Sequence, residues 1–196
     1  MDRVADGWSE PRNLGLPVNT SGAEFFPSVT NDGTLYFNRR EQGARVEYIM
    51  RSRFVDGEYA EPEILPAEVN AGDDRFNAFI APDESYIIVC VVGREDNLGG
   101  ADYYVSFRGA NDSWRGPFNL GARVNAATGR EWSPFVSRDG RYLFFMSSRT
   151  TEKPDGGRLN AAFLEQAQGR PGNGNADIWW IDAAVIEDLR PTPDDR

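Results

Sequence analysis

The 196-residue chain is 40% hydrophobic and 12% aromatic, which is enough apolar material for one domain with its own core. It carries 21 basic and 31 acidic side chains, a formal net charge of −10, so a phosphate backbone would be repelled and we predict no nucleic-acid partner. Histidine is absent. This excludes Ser-His-Asp and Cys-His catalysis and any histidine-bound zinc or iron.

The single cysteine, Cys90, lies within an apolar run, which predicts a buried thiol and excludes an intrachain disulfide. No apolar run reaches the roughly eighteen residues that a membrane span requires, so we predict no membrane span. The first residues, MDRVADGWSEP, lack the apolar stretch of a signal peptide. We therefore expect either a cytoplasmic protein or an export signal outside this sequence.

One pattern recurs three times, in residues 8–59, 60–114 and 115–182, within a single domain spanning 1–196. Its markers are a Val-Asn pair, a proline after an aromatic residue, and a turn aspartate. They occur at Val18, Val69 and Val124, at Pro11, Pro62 and Pro117, and at Asp32, Asp83 and Asp139. The first two markers are spaced by 51 and then 55 residues, and the third by 51 and 56. Three markers that keep one period indicate a repeat architecture.

Within each repeat, short β-branched and aromatic runs bounded by turn residues predict four strands. In the first repeat these are 25–29 (FFPSV), 34–37 (TLYF), 47–53 (EYIMRSR) and 58–65 (EYAEPEIL). Asp32-Gly33 and Asp139-Gly140 supply the left-handed residues of a tight hairpin turn. Asp83-Glu84 lacks the glycine, so we expect a different turn type in the second repeat.

The third repeat carries an insertion at 150–175 between its second and third strands. Residues 159–168 combine helix-forming side chains with amphipathic spacing, which predicts a short helix there. A second short helix is expected at 183–190, stopped by Pro191. Four short antiparallel strands recurring at about fifty residues predict an all-β fold made of three four-stranded β-propeller blades.

The motif Pro-x-Val-x-x-Asp-Gly-x-x-Leu-Tyr-Phe, followed by arginine and then Gly-x-x-Asp-Ile-Tyr, resembles the WD-like repeats of TolB-type β-propellers. The resemblance covers about 8–191 and implies a periplasmic or cell-envelope setting with a protein or glycan partner. Propellers close with about four to eight blades. Three repeats therefore predict either the C-terminal part of a larger, six-bladed ring or a homodimer that completes the ring, since open sheet edges invite pairing.

Topology predicts a charged mouth where first strands start and second strands end. The residues there are Glu24, Arg75 and Glu131 at the starts, and Arg40, Arg94 and Arg149 at the ends. Guanidinium groups in such a ring can hold a carboxylate or a sugar hydroxyl. The alternative is pairing within each blade, of Glu24 with Arg40 and of Glu131 with Arg149.

Two carboxylates can hydrolyse glycosides without histidine, and the candidates are Glu24, Glu131, Asp102 and Asp177. Asp102 and Asp177 open the third strand in two repeats, and a residue repeated once per blade indicates structure rather than an asymmetric active site. We therefore predict no catalytic residue, and a non-enzymatic interaction or ligand-binding module. The alternative is a carbohydrate-active enzyme, a glycoside hydrolase or lyase, with carboxylates at the channel mouth.

No cofactor or metal site is predicted: the turn aspartates lack the calcium-loop pattern, and calcium binding stays open only at segment 95–102, because that segment is acidic. Trp8 and Trp114 occupy equivalent repeat positions, which predicts packing between blades. Trp179 and Trp180 are expected on opposite faces of one strand, so that one of them can be exposed.

Overall fold

The computed structural model describes residues 3–150 and 160–192, and these residues form a mostly β structure of several antiparallel sheets. A small hairpin, β1 (Arg3–Val4) and β2 (Gly7–Trp8), comes first. The described strands do not close into a barrel or a complete ring. No helix in the described ranges has the length and apolar character needed to cross a bilayer.

Sheet 1 has the order β3–β4–β5–β8. Its strands are β3 (Ala23–Val29), β4 (Leu35–Arg40), β5 (Tyr48–Ser52) and β8 (Glu63–Ile64). The strand expected at 58–65 is broken in two, and its first part, β7 (Glu58–Tyr59), pairs instead with β6 (Phe54–Val55). Pro62 has no N–H to donate and Gly57 takes a left-handed φ of 88°, so a separate hairpin forms before the chain reaches β5.

Sheet 2 fulfils the prediction of four strands, with the order β9–β10–β11–β12. The strands are β9 (Asp74–Ile80), β10 (Tyr86–Val92), β11 (Asp102–Arg108) and β12 (Trp114–Asn119). A short 3-10 turn (Ala110–Asp112) leads into β12.

Sheet 3 has three strands among the described residues, and the expected fourth strand is wrong for this repeat. The strands are β13 (Glu131–Val136), β14 (Tyr142–Ser147) and β15 (Asp177–Asp182). After β15 the chain enters α2 (Ala184–Glu187), which is shorter than the helix expected at 183–190. Val185 and Ile186 are buried in the core, and this burial directs the chain away from the open edge of β15.

Of the insertion at 150–175 the structure describes residues 150 and 160–175, and residue 159 of the helix expected at 159–168 lies outside the described residues. Helix α1 (Ala161–Gln168) begins at Asn160, whose side chain accepts a hydrogen bond from the Phe163 N–H at 2.8 Å.

The tight turn between the first two strands has the same closing bond in all three repeats, although the first loop is one residue shorter, so the different turn expected at Asp83-Glu84 is wrong. The closing bonds run from Gly33 N–H to Thr30 C=O, from Glu84 N–H to Ala81 C=O and from Gly140 N–H to Ser137 C=O. Glu84 adopts a left-handed φ of 59° where the other turns use glycine. Tertiary packing therefore imposes on a glutamate a conformation that disfavours a side chain.

The sheets pack face to face in chain order, and their first strands β3, β9 and β13 are neighbours, with β9 in the middle. Between sheets 1 and 2, Tyr36 and Ile49 pack with Ile87 and Val89. The core between sheets 2 and 3 includes Cys90, which is buried as expected.

Each first strand contains a β-bulge at the same repeat position. The bulge residues have left-handed backbones and are Phe26 (φ 51°), Asn77 (φ 52°) and Ser133 (φ 63°). A bulge interrupts the alternation of side chains between the two faces of a strand. Here it occurs once per sheet, in the strand nearest the neighbouring sheets.

Candidate functional site

The first-strand residues of the predicted charged mouth each lie at or near the start of their strand, opposite a residue near the end of the second strand. In register, Glu24 lies opposite Arg39, Arg75 opposite Val91 and Glu131 opposite Ser147. The backbone also joins the sheets at this end, because Glu131 N–H donates to Ala101 C=O at 3.0 Å.

Glu24 pairs with Arg39 and not with Arg40. Glu24 Oε1 lies 3.3 Å from Arg39 Nε and accepts the Thr20 hydroxyl at 2.6 Å. The Arg39 guanidinium also donates to Val18 C=O at 2.7 Å. Arg40 instead lies 3.5 Å from Glu47, and its side chain is 48% exposed.

The Arg75 side chain is buried and forms hydrogen bonds to backbone carbonyls. Its guanidinium donates to the carbonyls of Ala71 (3.1 Å), Gly72 (2.6 Å) and Glu47 (3.1 Å), the last of which belongs to sheet 1. A buried guanidinium whose donors are occupied by three carbonyls joins loops together.

Glu131 of β13 pairs with Arg149, which follows β14, as the alternative of pairing within one repeat predicts. Arg149 lies 3.6 Å from Glu131 Oε1, which also accepts the Ser147 hydroxyl at 2.8 Å. Glu131 is fully buried, and its Oε2 has no hydrogen-bond partner among the described residues. Burial raises the pKa of Glu131 to about 7, against the lowering by Ser147 and Arg149.

Arg94 is the other residue of the predicted mouth that reaches the surface. Its Nε donates to Asp96 at 2.9 Å, and its guanidinium lies over the Tyr104 ring at 5.0 Å. Arg94 and Arg40 are the most accessible of the six predicted residues, with 30% and 48% of their side chains exposed.

The remaining candidate carboxylates hold their own loops. Asp102 accepts the backbone N–H groups of Leu98 (2.6 Å) and Gly99 (3.1 Å), and the Asn119 side chain at 2.9 Å. Asp177 accepts the Gly172 N–H at 2.7 Å. In the described part of the chain, no three carboxylates or thiols converge as metal ligands, and Asp102 in segment 95–102 acts as a loop brace.

The Val-Asn pair has a structural role that its spacing alone did not reveal. Asn70 accepts the Ile49 N–H at 2.7 Å and donates to the Ile49 C=O at 3.1 Å. Asn125 does the same to Tyr103, at 2.8 and 3.0 Å. Each asparagine thus holds the third strand of the sheet that its own segment completes.

Asp112 collects three arginines, a cluster that the repeat pattern did not predict. It binds Arg51 through two hydrogen bonds of 2.7 and 2.6 Å, and it also pairs with Arg53 and Arg108, each at 2.6 Å. The guanidinium groups of Arg51 and Arg108 hold the pKa of Asp112 well below its usual range. The cluster connects sheet 1 with sheet 2.

A cleft of about 490 Å³ lies at the turn end of the first strands, away from the predicted mouth. We call it the first-strand cleft. Its lining is mainly apolar and includes Phe26, Val29, Phe79, Pro134 and Phe135. Two of the bulge residues, Phe26 and Ser133, belong to it. The sequence analysis did not predict this cleft, because no local sequence pattern marks the bulges at Phe26 and Ser133.

The tryptophans divide between core and surface. Trp114 is buried, as expected for packing between sheets, but its equivalent Trp8 is exposed. Trp179 packs against the core while Trp180 faces outward, which confirms the opposite-face prediction.

Comparison of the chain with protein-family models and with curated proteins gave no match.

Proposed function

We propose that the three sheets are blades of a β-propeller and that the chain is a non-enzymatic binding module whose first-strand cleft receives an apolar side chain of a protein partner. The order of β3, β9 and β13 as adjacent strands supports the arrangement, as does the bulge repeated once per sheet. The TolB-type resemblance adds a cell-envelope setting to the proposal.

The observation that carries the binding role is the backbone of Phe26. A phenylalanine with φ of 51° is strained, whereas asparagine, which occupies the same position in sheet 2, tolerates this conformation. Strain of this kind accumulates where a side chain must be presented to a ligand. Phe26 lies in the cleft beside Phe79 and Phe135, so the strained residue contributes to an apolar surface.

The carboxylates support a binding role over hydrolysis. Glu24 and Asp102 are engaged by hydroxyl, guanidinium or amide donors, and Glu131 is fully buried. A glycosidase needs one free acid and one free base on the two sides of a sugar. The cleft lining contains no carboxylate, and its phenylalanines and prolines form an apolar surface that can bury an apolar peptide side chain.

The test is selection of phage-displayed peptides on the 196-residue chain, followed by affinity measurement on two matched variants. Phe26→Asn removes the cleft phenylalanine and keeps a residue suited to the backbone. Leu98→Asn is the control, because Leu98 is exposed in the loop at the opposite end of the sheets. We expect peptides with an apolar anchor whose affinity falls about tenfold or more on Phe26→Asn and is unchanged on Leu98→Asn.

Three results would contradict the proposal. The first is equal peptide affinity for the wild type and Phe26→Asn, or no enrichment of peptides. The second is a loss on Arg94→Gln instead, which would place the ligand at the charged mouth. The third is binding or turnover of an oligosaccharide in place of peptides, and turnover that Glu131→Gln abolishes would establish the enzyme alternative.

A further inference from the structure

Sheet 3 presents an uncovered apolar face. Phe135, Phe144 and Trp180 lie opposite one another across its three strands, and Trp180 is 65% exposed. The equivalent row in sheet 2, Phe79, Ile88 and Val105, is buried in the core shared with sheet 3. A face that is covered in one repeat and open in the next indicates an interaction surface.

The edge of this sheet is open as well. Within the described ranges β15 pairs with β14 on one side and with no strand on the other. The third strands of the other sheets, β5 and β11, are each paired with a fourth strand. An exposed edge of this kind is a template for strand addition.

Segment 7–14 is equivalent to a fourth strand, but among the described residues it pairs only with β1, through Gly7–Trp8, and with no third strand. It aligns with 113–120, which contains β12. Trp8 is 66% exposed where Trp114 is 6% exposed, and Leu14 is 53% exposed where Leu120 is 5% exposed. Segment 7–14 therefore carries apolar side chains at the positions that are buried in β12, but these side chains are exposed to solvent.

The loop after this segment already has the conformation that accompanies a paired strand. Asn13 Oδ1 accepts the Gly15 N–H and the Asn19 side chain, each at 2.8 Å. In sheet 2 the equivalent Asn119 Oδ1 accepts the Gly121 N–H at 2.8 Å and the Asn125 side chain at 2.7 Å. Docking onto a third strand would consequently require little rearrangement.

We propose that the occupant of this face is a second copy of the chain. Segment 7–14 of each copy lies along β15 of the other, and the two three-sheet arcs close into a ring of six sheets. Asn19 of one copy then holds the backbone of Ile178 of the other, as Asn70 holds Ile49 and Asn125 holds Tyr103.

The register of this contact is predicted from the pairing of third and fourth strands, which is the same in sheets 1 and 2. Arg51 lies opposite Glu63 in sheet 1, and Val105 lies opposite Phe118 in sheet 2. The equivalent pair between copies is Trp180 opposite Arg12.

A second copy fits better than an unrelated partner because each chain carries both complementary parts. Two such surfaces related by a twofold axis satisfy each other and leave no open edge. Val29 of sheet 1 is half exposed while its equivalents Ile80 and Val136 are buried, so sheet 1 also offers apolar surface at the same junction.

This inference rests on the propeller arrangement proposed above. Val29 and Phe135 also line the first-strand cleft, so its test uses residues outside the cleft. Light scattering at micromolar concentration should give twice the 21.9 kDa of one chain. Trp180→Asp should return a folded monomer, because the exposed side chain is not needed within one copy. The control Val55→Asp, at an exposed valine of the β6–β7 hairpin, should remain a dimer.

Cross-linking tests the register directly. Arg12→Cys and Trp180→Cys proteins, mixed and oxidised, should give a covalent dimer that neither forms alone, while Arg12→Cys mixed with Ile181→Cys should give none. The native Cys90 does not compete, because it is fully buried. A monomeric wild type, a dimer that survives Trp180→Asp, or cross-linking without this register would overturn the proposal.

Discussion

Asn125 holds both backbone groups of Tyr103, accepting its N–H at 2.8 Å and donating to its C=O at 3.0 Å. Both residues are almost fully buried. The side chain thus replaces a piece of backbone pairing at the start of β11, which is why a short Val-Asn motif recurs with the period of the fold.

Replacing Asn125 should therefore unfold the protein more easily. Asn125→Ala leaves the buried Tyr103 N–H unpaired, whereas the Tyr103 C=O keeps its bond from the Leu120 N–H at 3.0 Å, and we expect a loss of about 2 kcal/mol in the free energy of unfolding. Urea denaturation measures it. In the Trp180→Asp background, Asn19→Ala should cost less than about 1 kcal/mol, since no third strand of the same chain depends on Asn19. Equal losses would contradict the assigned role of the motif.

Glu131 should make stability depend on pH between its unfolded and folded pKa values. Because the folded pKa, about 7, lies above the usual 4.5, the native state holds a proton that the unfolded state releases. The stabilisation is complete below about pH 4.5 and is lost as pH rises through about 7, with a magnitude on the order of 3 kcal/mol. Denaturation midpoints measured from pH 5 to 8 should fall in the wild type.

Glu131→Gln is the matched variant for this pH dependence. It keeps the shape and the bond to Ser147 but does not titrate, so the slope in that interval should flatten. A wild-type slope that persists in Glu131→Gln would assign the titration to another group.

Asp112 should stabilise the junction of sheets 1 and 2. Asp112→Asn removes the charge that faces the buried Arg51 guanidinium, and we expect a loss of about 2–3 kcal/mol in the free energy of unfolding. Asp188→Asn is a suitable control, because Asp188 forms an exposed pair with Arg123 that contributes at most about 1 kcal/mol. Similar effects of the two variants would show that the cluster around Asp112 is not a structural junction.

Phe26→Asn should raise stability while it lowers peptide affinity. In the left-handed conformation phenylalanine is about 1 kcal/mol less favourable than asparagine. Packing of the partly exposed Phe26 ring offsets only a small part of this free energy. Thermal unfolding of the two proteins measures the difference. A lower unfolding temperature for Phe26→Asn would mean that Phe26 is a packing residue rather than a strained ligand contact.

The sequence was informative wherever one local rule decided the structure. The strands at 25–29 and 34–37, the Asp-Gly turns and the opposite faces of Trp179 and Trp180 follow from local sequence signals alone. The partner of Glu24 did not, because the bulge at Phe26 shifts the register and nothing local decides between two consecutive arginines. The Arg51–Asp112 contact joins residues 61 positions apart and departs from the repeat, so no periodic signal marks it.

The predicted fourth strand of sheet 3 is absent among the described residues because of a contact between distant residues. The third repeat resembles the others through β15, but the packing of Val185 and Ile186 between sheets 2 and 3 removes the following residues from the sheet edge. Burial of that short helix leaves β15 open, and the open edge is the basis of the proposed ring.

The most direct measurement is an experimental structure of the 196-residue chain at a resolution that shows side-chain amides. Ring closure predicts a twofold dimer in which Asn19 of one copy accepts the Ile178 N–H of the other and donates to its C=O, with Arg12 opposite Trp180. A structure in which the edge of β15 faces solvent, or pairs with anything other than segment 7–14 of a second copy, would contradict it.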